Sequence, residues 1–97
     1  MVRSVAAGAL VLMAGAALAQ DEAKRGVELY ARHCAACHGV RMRDPEGAYD
    51  LRKFPHDAQE RFVNAVTRGK SSMAPFGGLL TAEEISALWA YVVSGGK

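Results

Sequence analysis

Residues Cys34-Ala35-Ala36-Cys37-His38 bring two thiols and an imidazole together in a chain that has no other cysteine. This C-x-x-C-H spacing suits covalent attachment of a c-type haem. Each sulfur forms a thioether with one vinyl group of the porphyrin, and Ala35 and Ala36 are small enough to let the backbone press against the ring. His38, held by the neighbouring tether at Cys37, then reaches the iron as proximal ligand. Other uses of the motif fit less well. A thioredoxin-like dithiol needs a βαβ context, and no strand pattern surrounds it. A structural zinc site needs a second pair of ligands at comparable spacing. A Cys34–Cys37 disulfide has poor geometry and leaves His38 without a role.

Residues 1–19 read as a secretory signal peptide. Arg3 gives a positive start, Val5 to Leu18 is an apolar run, and Ala17-Leu18-Ala19 is an A-x-A cleavage site before Gln20. The run falls short of the roughly 20 residues a spanning helix needs, so stable membrane insertion is not expected. Residues 20–97 then form one small domain, expected to be monomeric. So short a chain buries little core of its own, and a tethered macrocycle would be its largest hydrophobic group. The haem-free mature chain is therefore expected to be largely unfolded. Loss of Arg3 takes the 12 basic side chains to 11, against 10 acidic ones. With two ionised haem propionates the balance is about −1, which argues against nucleic acid as a partner and leaves recognition to local patches.

The mature chain divides into helical segments joined by turns. Asp21 to about His33 reads as the first helix, with acidic residues at its positive end and Val27, Leu29, Tyr30 and Ala31 as its apolar residues. Gly26 costs roughly 1 kcal/mol there relative to alanine, and has two readings: close approach of another helix, or a frayed end. Gly39 to Phe54 is a connector with turn chemistry at Asp44-Pro45-Glu46-Gly47. In it Met42 is a gap-filler, and Arg52 is the preferred partner for a propionate. Asp57 is expected to cap a second helix, with Glu60 reaching back; Phe62, Val63 and Val66 form its buried face, and Gly69 ends it. Thr81-Ala82-Glu83-Glu84 is a full capping box for a last helix ending at Gly95 and Gly96, with Ile85, Leu88, Trp89 and Val92 as one apolar stripe. Gly26 would let an aromatic such as Trp89 or Tyr91 of that helix cross closely.

Between the last two helices, Ser71-Ser72-Met73-Ala74-Pro75-Phe76 holds a methionine in a stiffened, non-helical loop. A neutral thioether stabilises ferrous over ferric iron, and a loop can carry it to the haem face opposite His38. Met73 is therefore the expected sixth ligand. His56 is the competitor, but just before a helix start it is expected to be exposed.

Together these features resemble the bacterial class I c-type cytochromes over nearly all of residues 20–97. The resemblance is carried by Gly26 and Tyr30, by Cys34-Ala35-Ala36-Cys37-His38-Gly39, by Arg68-Gly69-Lys70, by the Met73-Ala74-Pro75-Phe76 loop, and by Leu80-Thr81-Ala82-Glu83-Glu84-Ile85 before Trp89-Ala90-Tyr91-Val92. It implies a small all-α fold, three to four helices wrapped around one covalently bound haem c, with first and last helices crossing. Many relatives have a Gly-Pro pair after the haem motif, whose proline carbonyl accepts the proximal histidine's Nδ1 proton. This chain offers Pro45 without such a pair. The implied function is a soluble periplasmic one-electron carrier and not an enzyme, with Cys34 and Cys37 as thioethers and His38 and Met73 as axial iron ligands. Its partners would be a donor dehydrogenase and an acceptor oxidase or reductase. Two alternatives are a fixed cytochrome subunit of a quinoprotein-type dehydrogenase, and a ligand-binding or peroxidatic haem protein with an open sixth position.

Overall fold

The computed structural model of the chain describes residues 21–43 and 47–96. The leader expected over residues 1–19 and the carbonyl of Pro45 both lie outside the described residues. Residues 21–33 form helix α1, whose buried face is Gly26, Leu29 and Tyr30, while Val27 and Ala31 face outward. That face recurs at three- and four-residue intervals, so the apolar residues at 27 and 31 fall off it.

The regular helix breaks at Cys34 and resumes as the single turn α2, Ala35–His38. Both cysteines and His38 thus sit on a short helical step continuous with α1, fixed by Cys34 N–H to Tyr30 O and His38 N–H to Cys34 O, each 2.9 Å. The chain then turns through a 3₁₀ step, Val40–Met42. Met42 takes a left-handed φ of 64° there and is fully buried, the gap-filling role expected of it.

A second 3₁₀ turn, Leu51–Lys53, leads into α3, Gln59–Arg68. The residue at the start of α3 corrects the sequence reading. Ala58, not Asp57, is the N-cap, and no side chain caps it. The physical cause is a tight turn immediately upstream, in which Ala58 N–H donates to Pro55 O at 3.2 Å. This turn consumes Asp57 and pushes the first helical residue one position further on. Phe62 and Val66 are buried and Val63 half-buried, as the pattern required.

The last helix, α4, Ala82–Val93, forms as the sequence dictates. Thr81 Oγ1 accepts from Glu84 N–H at 3.1 Å, and Glu84 Oε1 accepts from Thr81 N–H at 2.9 Å. This reciprocal box satisfies two backbone donors that would otherwise lack partners. Every residue of the expected stripe is buried, together with Ala87 and Tyr91.

α4 is the organising element because it buries more than one face. Towards α1 it presents Ala87 and Tyr91, and a Cβ on Gly26 would collide with the Ala87 carbonyl oxygen and lie 2.9 Å from Tyr91 Cβ. Gly26 is therefore a crossing point and not a frayed end. Tyr91, not Trp89, is the aromatic that crosses there, its ring 4.8 Å from that of Tyr30. Glu22 accepts from Ser86 Oγ at 2.7 Å and Arg25 pairs with Glu84 at 3.5 Å across the same contact. Trp89 lies on another side, against Phe54 and Phe62 at 5.9 and 5.2 Å. Leu88 and Val92 are left to face the space enclosed between α3 and the haem motif. The described residues contain no strand, only one isolated bridge between Lys70 and Met73.

Candidate functional site

That space is a cavity of about 780 Å³. Cys34, Cys37 and His38 form part of its wall, and Met73 forms another part. Four side chains separated by up to 39 positions in sequence are thus gathered around one cavity. Its remaining wall is largely apolar, with Leu51, Phe54, Phe62, Val66, Leu88 and Val92 contributing. Both volume and lining suit a flat apolar cofactor, since cofactor pockets run from roughly 300 to 1,000 Å³ and carry few polar groups.

The state of His38 follows from one hydrogen bond. Its Nδ1 lies 3.1 Å from the Tyr49 carbonyl oxygen. A carbonyl only accepts, so Nδ1 is the donor; of the two neutral tautomers this bond selects the one whose lone pair is on Nε2, the form a metal-ligating imidazole requires. The acceptor is the backbone of Tyr49, a residue the sequence did not single out. No side-chain pattern could have done so, because any backbone carbonyl can serve.

Met73 is held by its own turn. Lys70 N–H donates to Met73 O at 3.1 Å and Met73 N–H to Lys70 O at 2.9 Å, closing a four-residue loop. Gly69, at φ 78°, lets the chain double back, since a Cβ there would sit 2.7 Å from Met73 O. Beyond it, Phe76 and Gly77 donate to Val66 O and Thr67 O at 2.8 and 3.0 Å, stitching the loop to the end of α3. The thioether is therefore positioned by backbone bonds on both sides. The competitor His56 is exposed and stands outside the cavity wall. His33, half-buried, packs edge-on against Phe76 at 5.9 Å.

Burial sets the protonation of two further groups. It pushes the Cys34 thiol up to about 11, with Cys37 adding a smaller push in the same direction. An activated thiol needs the opposite shift, so Cys34 is not poised as a nucleophile. Burial also raises the Tyr30 phenol to about 12. It therefore stays protonated near neutrality and donates to Gly39 O at 2.6 Å, tying α1 to the end of the haem motif.

The charged groups depart from expectation. Arg52 is engaged with Asp50 and does not line the cavity. Its guanidinium holds the Asp50 carboxyl below the ordinary carboxylate range. Among the described residues, the charged side chains at the cavity wall are Arg61, Arg68 and Lys70, all cationic. Arg61 also stacks on Phe54, 4.7 Å from the ring centroid. Arg68, part of the Arg68-Gly69-Lys70 segment, reaches the cavity wall as a result of the tertiary fold.

Such a cavity, with a C-x-x-C-H step on one wall and a loop methionine on another, is the architecture of a c-type cytochrome. The family described as cytochrome C oxidase, cbb3-type, subunit III matches residues 21–92. Among characterised relatives, cytochrome c6 of Microcystis aeruginosa is 35% identical over 74 residues, spanning 71% of this chain and 91% of its own length. Cytochrome c6 of Thermosynechococcus vestitus is 34% identical over 95 residues, spanning 93% of this chain and 84% of its own. No solved structure matches the chain at a significant level. The chain belongs to the small class I c-type cytochromes: an electron carrier with one covalently bound haem c, and not an enzyme. Among the described residues, no helix is long and apolar enough to cross a membrane.

Proposed function

We propose that the protein is a periplasmic one-electron shuttle, exported through a signal peptide over residues 1–19 that is then removed, in which Cys34 and Cys37 carry the haem thioethers and His38 and Met73 are the axial ligands. The observation that supports this reading most is that all four side chains line one apolar cavity. When bound, the haem supplies the ferric/ferrous couple. The chain's own residues determine how that couple is used. His38 offers Nε2 because the Tyr49 carbonyl holds its Nδ1 proton. Met73 offers an uncharged sulfur, which favours the less charged ferrous state. Phe62, Val66 and Leu88 keep water from the centre and favour that state further.

Two protein ligands held by a rigid turn and a rigid helical step limit the rearrangement that accompanies a change of charge. The cationic rim of Arg61, Arg68 and Lys70 suits carboxylates, beginning with the haem's own propionates. Donor and acceptor are a periplasmic dehydrogenase and an oxidase or reductase, met through small, transient contacts. Potentiometric titration of the haem-loaded protein is expected to follow a one-electron curve at a positive potential, low-spin at both ends, with no prompt carbon monoxide complex. A high-spin ferrous protein that takes up carbon monoxide on mixing would overturn the shuttle and favour a ligand-binding haem protein.

A further inference from the structure

The carbonyl that accepts from His38 belongs to the peptide unit between Tyr49 and Asp50, and both flanking side chains are fastened to the turn that follows. On one side, Tyr49 Oη donates to Lys53 O at 3.3 Å while its ring stands edge-on to Phe54 at 6.1 Å. On the other, the Asp50 carboxylate accepts three bonds from one residue. Oδ1 takes Arg52 N–H and Nε, and Oδ2 takes Nη2, each at 3.0 Å. Phe54 in turn packs on Trp89 of α4 at 5.9 Å. The carbonyl is thus connected through rigid contacts to the helix that organises the core.

We propose that the Asp50–Arg52 clamp is a positioning device for the Tyr49 carbonyl, fixing the strength of the His38 Nδ1–H bond and, through it, the electron-donating power of Nε2. This rests on His38 being the proximal ligand. A surface pair two residues apart contributes little to stability, because solvent screens it. Its geometry is another matter: a bidentate guanidinium–carboxylate fork combined with a backbone N–H bond fixes the orientation of Asp50, and so of the peptide plane that precedes it. A metal-bound histidine whose second nitrogen loses its acceptor becomes a weaker donor, and the ferric state loses more by this than the ferrous.

The test compares Asp50→Asn, Arg52→Gln and the double variant in the haem-loaded protein, reading midpoint potential and, by NMR in the ferrous state, exchange of the His38 ring N–H. Through-space charge alone moves the two single variants in opposite directions, since one leaves a cation and the other an anion. The clamp predicts faster His38 N–H exchange in all three variants. For the double variant, whose net charge is unchanged, it predicts about a threefold rise in the ferrous-to-ferric ratio at fixed applied potential, about 28 mV at 59 mV per decade. Asp50→Asn keeps an oxygen for the Arg52 N–H, so the turn itself survives. Unchanged exchange, with single variants shifting oppositely or not at all, would overturn the clamp alone. Wild-type His38 ring protons without the upfield shift imposed by a ligated haem would overturn the ligation, and the clamp with it.

Discussion

Replacing the cysteines proposed to carry the haem, Cys34→Ala with Cys37→Ala, is expected to leave the mature chain largely unfolded, with most of its far-ultraviolet helical signal lost. The reason is the size of the cavity the haem would vacate. Without the haem a cavity of about 780 Å³ with a largely apolar wall would be left to solvent. The buried faces of α3 and α4 converge on this space through Phe62, Val66, Leu88 and Val92. These residues belong to the single core cluster among the described residues, the macrocycle would be its largest apolar member, and so short a chain has little other core to fall back on. Native helicity and a cooperative thermal transition in the double variant would contradict this account.

Gly26→Ala should be the most damaging single-methyl addition in the fold. On an isolated helix the change would help by roughly 1 kcal/mol. Here the new Cβ meets the Ala87 carbonyl oxygen and Tyr91 Cβ. A backbone carbonyl inside α4 cannot move without moving the helix, so relief requires α1 and α4 to separate. That separation also disturbs the Tyr30–Tyr91 ring contact and the Glu22–Ser86 and Arg25–Glu84 bonds. Overpacking of this kind costs typically 1–3 kcal/mol and sometimes more. A net loss of about 2 kcal/mol is expected, lowering Tm by ~10 °C for a domain of this size. Gly78→Ala is the matched control, since a Cβ there meets nothing within 4 Å. Equal melting temperatures for the two variants would show that the crossing is not the close contact described.

The sequence declared what is local. Thr81 and Glu84 lie within one turn of each other, so their capping box could be read without any tertiary knowledge. The stripe of α4 likewise follows from helical period alone. Cys34, Cys37 and His38 could be singled out because their spacing is local, and Met73 because it stands in a stiffened loop; that all four line one cavity is the part the structure adds.

What could not be read depends on where the chain goes next. Asp57 satisfied every sequence criterion for an N-cap, yet the turn closed by Ala58 N–H and Pro55 O moved the helix start beyond it. Arg52 was the loop cation preferred for a propionate, and it is instead engaged by a carboxylate two residues away. Gly26 carried two readings that only the approach of Ala87 separates. The Tyr49 carbonyl carried none, because a backbone acceptor has no residue identity.

The role given to Met73 is tested most directly by optical spectra of the haem-loaded mature protein, oxidised and reduced, beside those of Met73→Ala. The wild type is expected to be low-spin in both states and to show, when ferric, the weak red charge-transfer band of an iron–methionine bond. Met73→Ala should lose that band and gain an open position that takes up carbon monoxide when reduced. A ferric wild type without the band, or a Met73→Ala protein that keeps it, would contradict His38/Met73 ligation and the carrier built upon it.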